Sequence, residues 1–406
     1  MSLRKLRPLS HSLLARRYPP TQLTIPSLAM STATPANGQP DGQAKPLDIL
    51  LIGLGSIGSV YAHILERTGR ARVTAVARSN YDMYTSGQVT LDTDKFGKHE
   101  GWKPYRVVKS QAEALEGDVT YDYCLITTKC LPDVTPTPKL VEQVIASNKV
   151  SAWSLIQNGL GVEQDLYQAV KHLETPIISS CAWIGIMTSP DGRTVTWRGF
   201  DKLVSGIYPP LAPVDQPQTR EYSPKEIAAL DLWHGLLKDG GAEISLEDRI
   251  DSIRFSKNVW NCSWSSIQAF IRGTPDTFVD FPEDQRRPLK AFIREVVDTG
   301  FKSGLLREGQ YQYPFGGSVG DAESVAEHAW SKIFEMSVDK ARQGIPPHKM
   351  SLLIDIEQNR PFEVEVITGA VLRLAKQHGL DTPHLALMYS LMKGLQLNII
   401  KSRGEK

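Results

Sequence analysis

The sequence predicts an α/β N-terminal domain built on a parallel sheet, followed by an all-α C-terminal domain. Three observations carry this. Short, almost wholly apolar runs alternate with helical periodicity from Leu47 to residue 208. A stretch with five prolines, PPLAPVDQPQTREYSP at 209–224, then interrupts the chain. Beyond it, apolar residues recur at helical spacing and the strand signal mostly disappears.

Taken in order, residues 1–46 stand apart. Arg4, Lys5, Arg7, Arg16 and Arg17 occur with no acidic residue in the first 40 positions, the composition of a mitochondrial transit peptide. A disordered tail on a cytoplasmic protein is the alternative. Residues 31–46 read as a flexible linker. Leu47–Ile52 then reads as a buried parallel strand. Ile57, Val60, Tyr61, Ile64 and Leu65 mark one side of the helix that follows, and 73–77 a second strand. Further strands are expected at Arg106–Val108, 123–127, 152–156 and 177–187, with helices near 111–115, 139–146 and 163–172. Residues 194–198 and 202–207 read as a closing antiparallel pair, with Asp191-Gly192 as the turn signal. The first domain thus spans 47–208, the linker 209–224 and the second domain 225–406. Its helices are expected at 225–238, 253–271, 288–303, 322–339, 362–378 and 383–398. A cleft between two such domains is a favoured place for a small molecule.

Composition narrows the function. The 406 residues carry 46 Lys+Arg against 45 Asp+Glu. That near-cancellation argues against a nucleic-acid binder working by phosphate neutralisation. No apolar run reaches the roughly 18 residues of a membrane-spanning helix. Cys124, Cys130, Cys181 and Cys262 form no C-x-x-C pair, and the histidines lack ligand spacing, so no metal site is expected.

Gly53-Leu54-Gly55-Ser56-Ile57-Gly58 matches G-x-G-x-x-G between a strand and a helix, the context of a Rossmann-type dinucleotide site. Gly53 permits the tight turn, Gly55 lets backbone approach a pyrophosphate, and Gly58 lets helix and strand pack closely. Arg78 ends the second strand, where an NAD-preferring site usually places an acid. An arginine there can pair with a 2′-phosphate, which points to NADPH. Asp82 is close by, and a plain surface arginine is the other reading of Arg78.

Five further segments complete the pattern. They are Thr127-Thr128-Lys129, Gln157-Asn158-Gly159-Leu160-Gly161, the run FSKNVWNC at 255–262, SLLIDI at 351–356 and PFEVEVITG at 361–369. In this order, and together with GLGSIG, they resemble the ketopantoate reductases (2-dehydropantoate 2-reductases) over residues 47–400. The resemblance implies hydride transfer from NADPH to the ketone of ketopantoate, giving pantoate for pantothenate and coenzyme A synthesis. The substrate, a small 2-oxo acid, would lie between the domains. A homodimer stays open as the assembly.

The resemblance also implies roles. Hydride addition turns a carbonyl oxygen into a developing alkoxide, which needs a proton and a nearby positive charge. Lys257 falls where the family keeps its catalytic lysine, the general acid. Glu363 matches a glutamate that holds the substrate hydroxyl, with Glu365 close by. Asn261, Ser265, Ser351 and Asn158 match substrate-binding positions; Ser351 could equally be a helix N-cap. Lys129 and Asn158 match loop residues that contact the cofactor and shape the nicotinamide side. A solvated lysine, a helix-start acid and a common Asn-Gly turn are the plain readings of Lys257, Glu363 and Asn158. Two positions depart from the family pattern. Ser265 and Thr368 stand where asparagines are expected, and both are shorter. They keep a second reading open, a reductase for another 2-oxo acid or a ketone. A third reading is a non-catalytic NADPH sensor, which would have no need of a proton donor. The segment 305–321 is expected to form a mobile loop over the cleft.

Overall fold

The apolar runs become strands of one ten-stranded sheet in a computed structural model that describes residues 45–212, 216, 218–311 and 320–404. The basic tail, part of the proline-rich linker and residues 312–319 of the expected cleft loop lie outside the described residues. The strands are β1 (Leu47–Ile52), β2 (Ala71–Val76), β3 (Thr90–Thr93), β4 (Gly97–His99) and β5 (Arg106–Val108). They continue as β6 (Tyr121–Ile126), β7 (Val150–Ile156), β8 (Ile177–Thr188), β9 (Thr194–Tyr208) and β10 (Ile244–Leu246). Their order is β4-β3-β9-β8-β7-β6-β1-β2-β5, with β10 also on β9.

From β8 to β5 every neighbouring pair is parallel. Such a sheet is covered on both faces, which explains why its strands read as near-continuous apolar runs. In β1, Ile49 and Leu51 enter one core and Leu50 and Ile52 the other. The chain leaves β1 toward β2 on one side and returns to β6 on the other. The β1/β6 pair is therefore a topological switch point, where ligands bind beyond the carboxyl ends of the strands.

The expected pairing of 194–198 with 202–207 is corrected. Both lie in the single strand β9, which runs antiparallel to β8. Asp191-Gly192 does turn the chain, but it joins β8 to β9, with Gly192 at φ +77° and its N–H bonded to Ser189 O at 2.8 Å. The interruption within β9 is absorbed by Gly199 at φ +78° and a register shift at Ile184/Ile186. Strands β3, β4 and β10 were not expected; each has three or four residues, too few to show alternation.

The first helix after the linker, Pro224–Asp239, begins with a capping box between Ser223 and Glu226. Its Trp233, Leu236 and Leu237 pack in the same core as Ile49 and Leu51, so this helix covers the sheet although the sequence assigns 225 onward to the helical domain. The helical region proper contains Ile250–Trp260, Ser266–Ile271, Glu283–Lys302, Ala322–Arg342, Ser351–Glu357, Ala370–Gln377 and Pro383–Ser402. It shares one apolar core with the sheet face that carries Leu50, Trp153 and Leu155. The helix expected over 253–271 is broken by a π-turn at Asn261–Ser265, and that over 362–378 starts with a second π-turn at Glu365–Gly369. No helix among the described residues is long and apolar enough to cross a membrane.

Candidate functional site

The glycine loop follows β1 at the switch point. Gly53 has φ +110°, and a Cβ there would lie 2.7 Å from Thr128 N. A Cβ on Gly58 would lie 2.1 Å from Gly53 O, so helix and strand touch through hydrogens alone. Gly55 differs: it is exposed, and a Cβ there would meet nothing within 4 Å. No described residue fills the space above Gly55, which suits the approach of a ligand. The helix Ser56–Glu66 starts here with no side chain capping its first N–H groups. Free N–H groups at a helix N-terminus attract phosphate. Ser56 Oγ touches Thr188 Oγ1 at the end of β8, and Leu54 and Ile57 are largely enclosed. The residues present fit a dinucleotide. Arg78 is exposed at the end of β2 and makes no ion pair with any described residue. Asn80 instead holds Leu54 O through Nδ2 at 2.5 Å, tying the second strand's exit to the glycine loop.

Lys257 lies on the Ile250–Trp260 helix and is not a solvated lysine. The residue is half-buried, and its Nζ donates to Asn158 Oδ1 at 2.8 Å and to Ala182 O. Burial pushes its ammonium below the ordinary lysine range. The Arg254 charge acts the same way, and Cys181 and Glu363 oppose it. Asn158 itself is placed by its loop. Gly159 at φ +95° abuts Val366, and Leu160 N–H bonds to Val366 O at 2.8 Å. The loop after β7 thus rests directly on the second π-turn.

Glu363 precedes that π-turn and is not an exposed helix-start acid; it is 5% exposed. It accepts the Cys130 N–H at 3.2 Å. Burial pushes its carboxyl up to about 7, against the positive charges of Lys129 and Lys257, while Asp355 adds to the rise. Lys129 stands exposed beside it but is paired with Asp355, a nearly buried carboxylate that also holds Arg360 at 3.0 Å. Glu365, the neighbouring alternative, belongs to a separate network with Arg373, Lys393 and Tyr389.

The remaining expected residues are placed differently. Asn261 is half-buried one turn after Lys257. Ser265 closes the π-turn that Asn261 opens. Ser265 is 1% exposed and its Oγ is enclosed without a partner among the described residues. Thr368 is fully buried and meets Ser266 Oγ at 3.1 Å. Ser351 is exposed as the first helical residue; the N-cap is Met350, so the capping alternative is not realised. Two buried residues were missed, Arg254 and Glu163, an ion pair at 2.6 Å next to Lys257. Their spacing gave a clue: Arg254 lies three residues before Lys257, on the same helix face. Among the described residues no cluster of metal-ligating side chains occurs.

A glycine cradle at a switch point, joined to a helical region that carries a desolvated lysine, defines the class: a two-part oxidoreductase. The chain belongs to the ketopantoate reductase family. The description "Ketopantoate reductase PanE/ApbA" matches residues 49–210, and "Ketopantoate reductase PanE/ApbA C terminal" matches 249–396. An uncharacterized protein of Saccharomyces cerevisiae is 22% identical over 378 residues, covering 88% of this chain and 95% of that relative. The crystal structure of a 2-dehydropantoate 2-reductase from Methylococcus capsulatus superposes with a TM-score of 0.65 at 24% identity. It covers 87% of this chain and 98% of its own. A D-mandelate dehydrogenase solved with NADH and anilino(oxo)acetate gives 0.63 at 16% identity, covering 87% and 99%.

Proposed function

We propose that the protein is an NADPH-dependent 2-dehydropantoate 2-reductase that converts ketopantoate to pantoate. One observation carries the reading: Lys257 is desolvated and held by Asn158 and Ala182 O where the sheet's carboxyl edge meets the helical region. The glycine loop and the N-terminus of Ser56–Glu66 would hold the pyrophosphate, and Arg78 the 2′-phosphate. When bound, the nicotinamide supplies a hydride. Lys257 holds a proton at Nζ and gives it to the oxygen that becomes the new hydroxyl. Its lowered proton affinity makes that transfer easier near neutrality. Asn158 fixes the amine's direction. Glu363, half-titrated near neutral pH, accepts a hydrogen bond from the product hydroxyl when ionised. Asn261, on the next turn, orients the acid substrate.

One observation favours a second substrate. Ser265 is enclosed and Thr368 is turned to Ser266, so neither offers the amide expected of a ketopantoate site. Another 2-oxo acid, with a bulkier substituent, is the alternative. The test follows oxidation of NADPH with ketopantoate, phenylglyoxylate and branched 2-oxo acids. Saturable turnover of ketopantoate with the highest kcat/KM is expected. In Lys257→Ala it should fall about 10²–10⁴-fold with NADPH binding intact. A clear preference for another acid would replace the substrate, and full activity of Lys257→Ala would remove the proton donor.

A further inference from the structure

Lys257 is the second of two cations on one helix face. One turn earlier, Arg254 is 4% exposed and pairs with Glu163 at 2.6 Å. The same Nε–H also reaches Ser179 Oγ at 2.7 Å, while Nη1 donates to Gln157 O at 2.7 Å and Gly159 O at 3.3 Å, and Nη2 to Ser180 O at 3.0 Å. Glu163 also accepts from Ser179 Oγ. A guanidinium is a rigid planar fork with five donors. This one spans two segments, the 157–159 loop and strand β8.

Lys257 reaches the same two segments, at Asn158 Oδ1 and Ala182 O. Arg254 therefore grips the carbonyls on both sides of Asn158, the residue that aims the amine. A lysine stem has no such rigidity of its own. A buried ion pair is weak evidence for stability, because apolar residues often serve as well. What an apolar pair could not do is fix two carbonyls on either side of Asn158.

We propose that Arg254, locked by Glu163, is the positioning residue for Lys257. It ties the 157–159 loop and β8 to the Ile250–Trp260 helix, so that the amine, the Asn158 amide and the Ala182 carbonyl keep one geometry. The inference rests on Lys257 being the proton donor. The groups whose charge bears on that amine are Arg254 on its own helix, Cys181 on β8 and Glu363 before the second π-turn.

The test uses the full chain with Arg254→Lys, which keeps the charge and loses the fork. A paired Arg254→Met/Glu163→Leu variant removes both charges and leaves no lone ion buried. Circular dichroism melts establish folding. Three readouts follow: kcat on the best 2-oxo acid, NADPH affinity, and the pH dependence of Lys257 acetylation by acetic anhydride, read by mass spectrometry. Displacement of a catalytic group by about 1 Å can cost roughly 100-fold, so a loss of that order in kcat is expected in the folded double variant. NADPH affinity should hold, and Arg254→Lys should recover only part of the rate. The acetylation midpoint of Lys257 should rise in the double variant, because an amine no longer held against Asn158 and Ala182 O regains solvent, and burial is the first cause of its lowered proton affinity. A folded double variant with parental kcat and acetylation profile would overturn the proposal. If it does not fold, the same two results in Arg254→Lys overturn it. Should the parent turn over no 2-oxo acid, the proton-donor reading fails, and the acetylation profiles alone decide whether Arg254 positions the amine.

Discussion

Glu363 shows what burial does to one residue. Its carboxyl is raised from the usual 4.5 to about 7, with desolvation as the first cause. The folded state therefore holds the proton more tightly than the unfolded chain. Stability is full below about pH 4.5, falls as pH rises toward 7, and then stays level. Glu363→Gln keeps the shape and removes the charge. It should match the parent in melting temperature at low pH and exceed it above pH 7. The difference should approach the order of 3 kcal/mol, a net figure in which the opposing charges of Lys129 and Lys257 are already counted. A constant offset across the pH range would show that Glu363 does not titrate there. Arg78 makes an opposite case, an exposed charge without an ion-pair partner among the described residues. Arg78→Ala should weaken NADPH about 10–100-fold, the worth of a charge-assisted hydrogen bond, and leave NADH nearly unchanged. Equal losses for both in binding titrations would place the 2′-phosphate elsewhere.

At the scale of elements, the glycine loop separates folding from binding. A Cβ on Gly55 meets no atom of a described residue within 4 Å, and its φ of −102° suits any residue. Gly55→Ala should melt within about 0.5 kcal/mol of the parent. Its dinucleotide affinity should nevertheless fall, because the methyl enters the space the loop leaves open. Gly58→Ala drives a methyl onto Gly53 O and should cost about 1–3 kcal/mol or more. If Gly55→Ala bound NADPH as the parent does, the cradle would not be the pyrophosphate site. This loop was fully legible, because strand, glycines and helix are adjacent in sequence. Lys257 and Glu363 were legible only through an ordered set of motifs, and their burial was not. The π-turns were invisible: nothing in NCSWS or EVITG marks a shift from i→i+4 to i→i+5 bonding. Ser265 and Thr368 both lie within these π-turns and are enclosed by protein. The Arg254–Glu163 pair was missed because its partners are 91 positions apart in the chain and meet only when β7, β8 and the helix assemble.

At the scale of the whole molecule, the question is whether the sheet region and the helical region are separate folding units. A chain of this length usually divides. Here one apolar core runs from Leu50 and Trp153 on the sheet, through Phe255 and Trp264, to Met392 in the last helix. Polar ties cross the same boundary: Lys129 to Asp355, Lys393 to Asp133 at 2.7 Å, and Cys130 N–H to Glu363. Unfolding either region alone would expose half of that core and strand buried Glu363 and Arg254 without their partners. Both regions should therefore melt together. Differential scanning calorimetry should give one endotherm for residues 45–406, coincident with the circular dichroism transition. NADPH at about 100 times its Kd should move that whole endotherm upward, corresponding to roughly 2.7 kcal/mol. Two endotherms, only the first of which responds to NADPH, would mean that the shared core does not couple the regions. The placement of Lys257 against Asn158 would then depend on an equilibrium between docked and undocked regions, since the helix and the loop belong to different sides of the boundary.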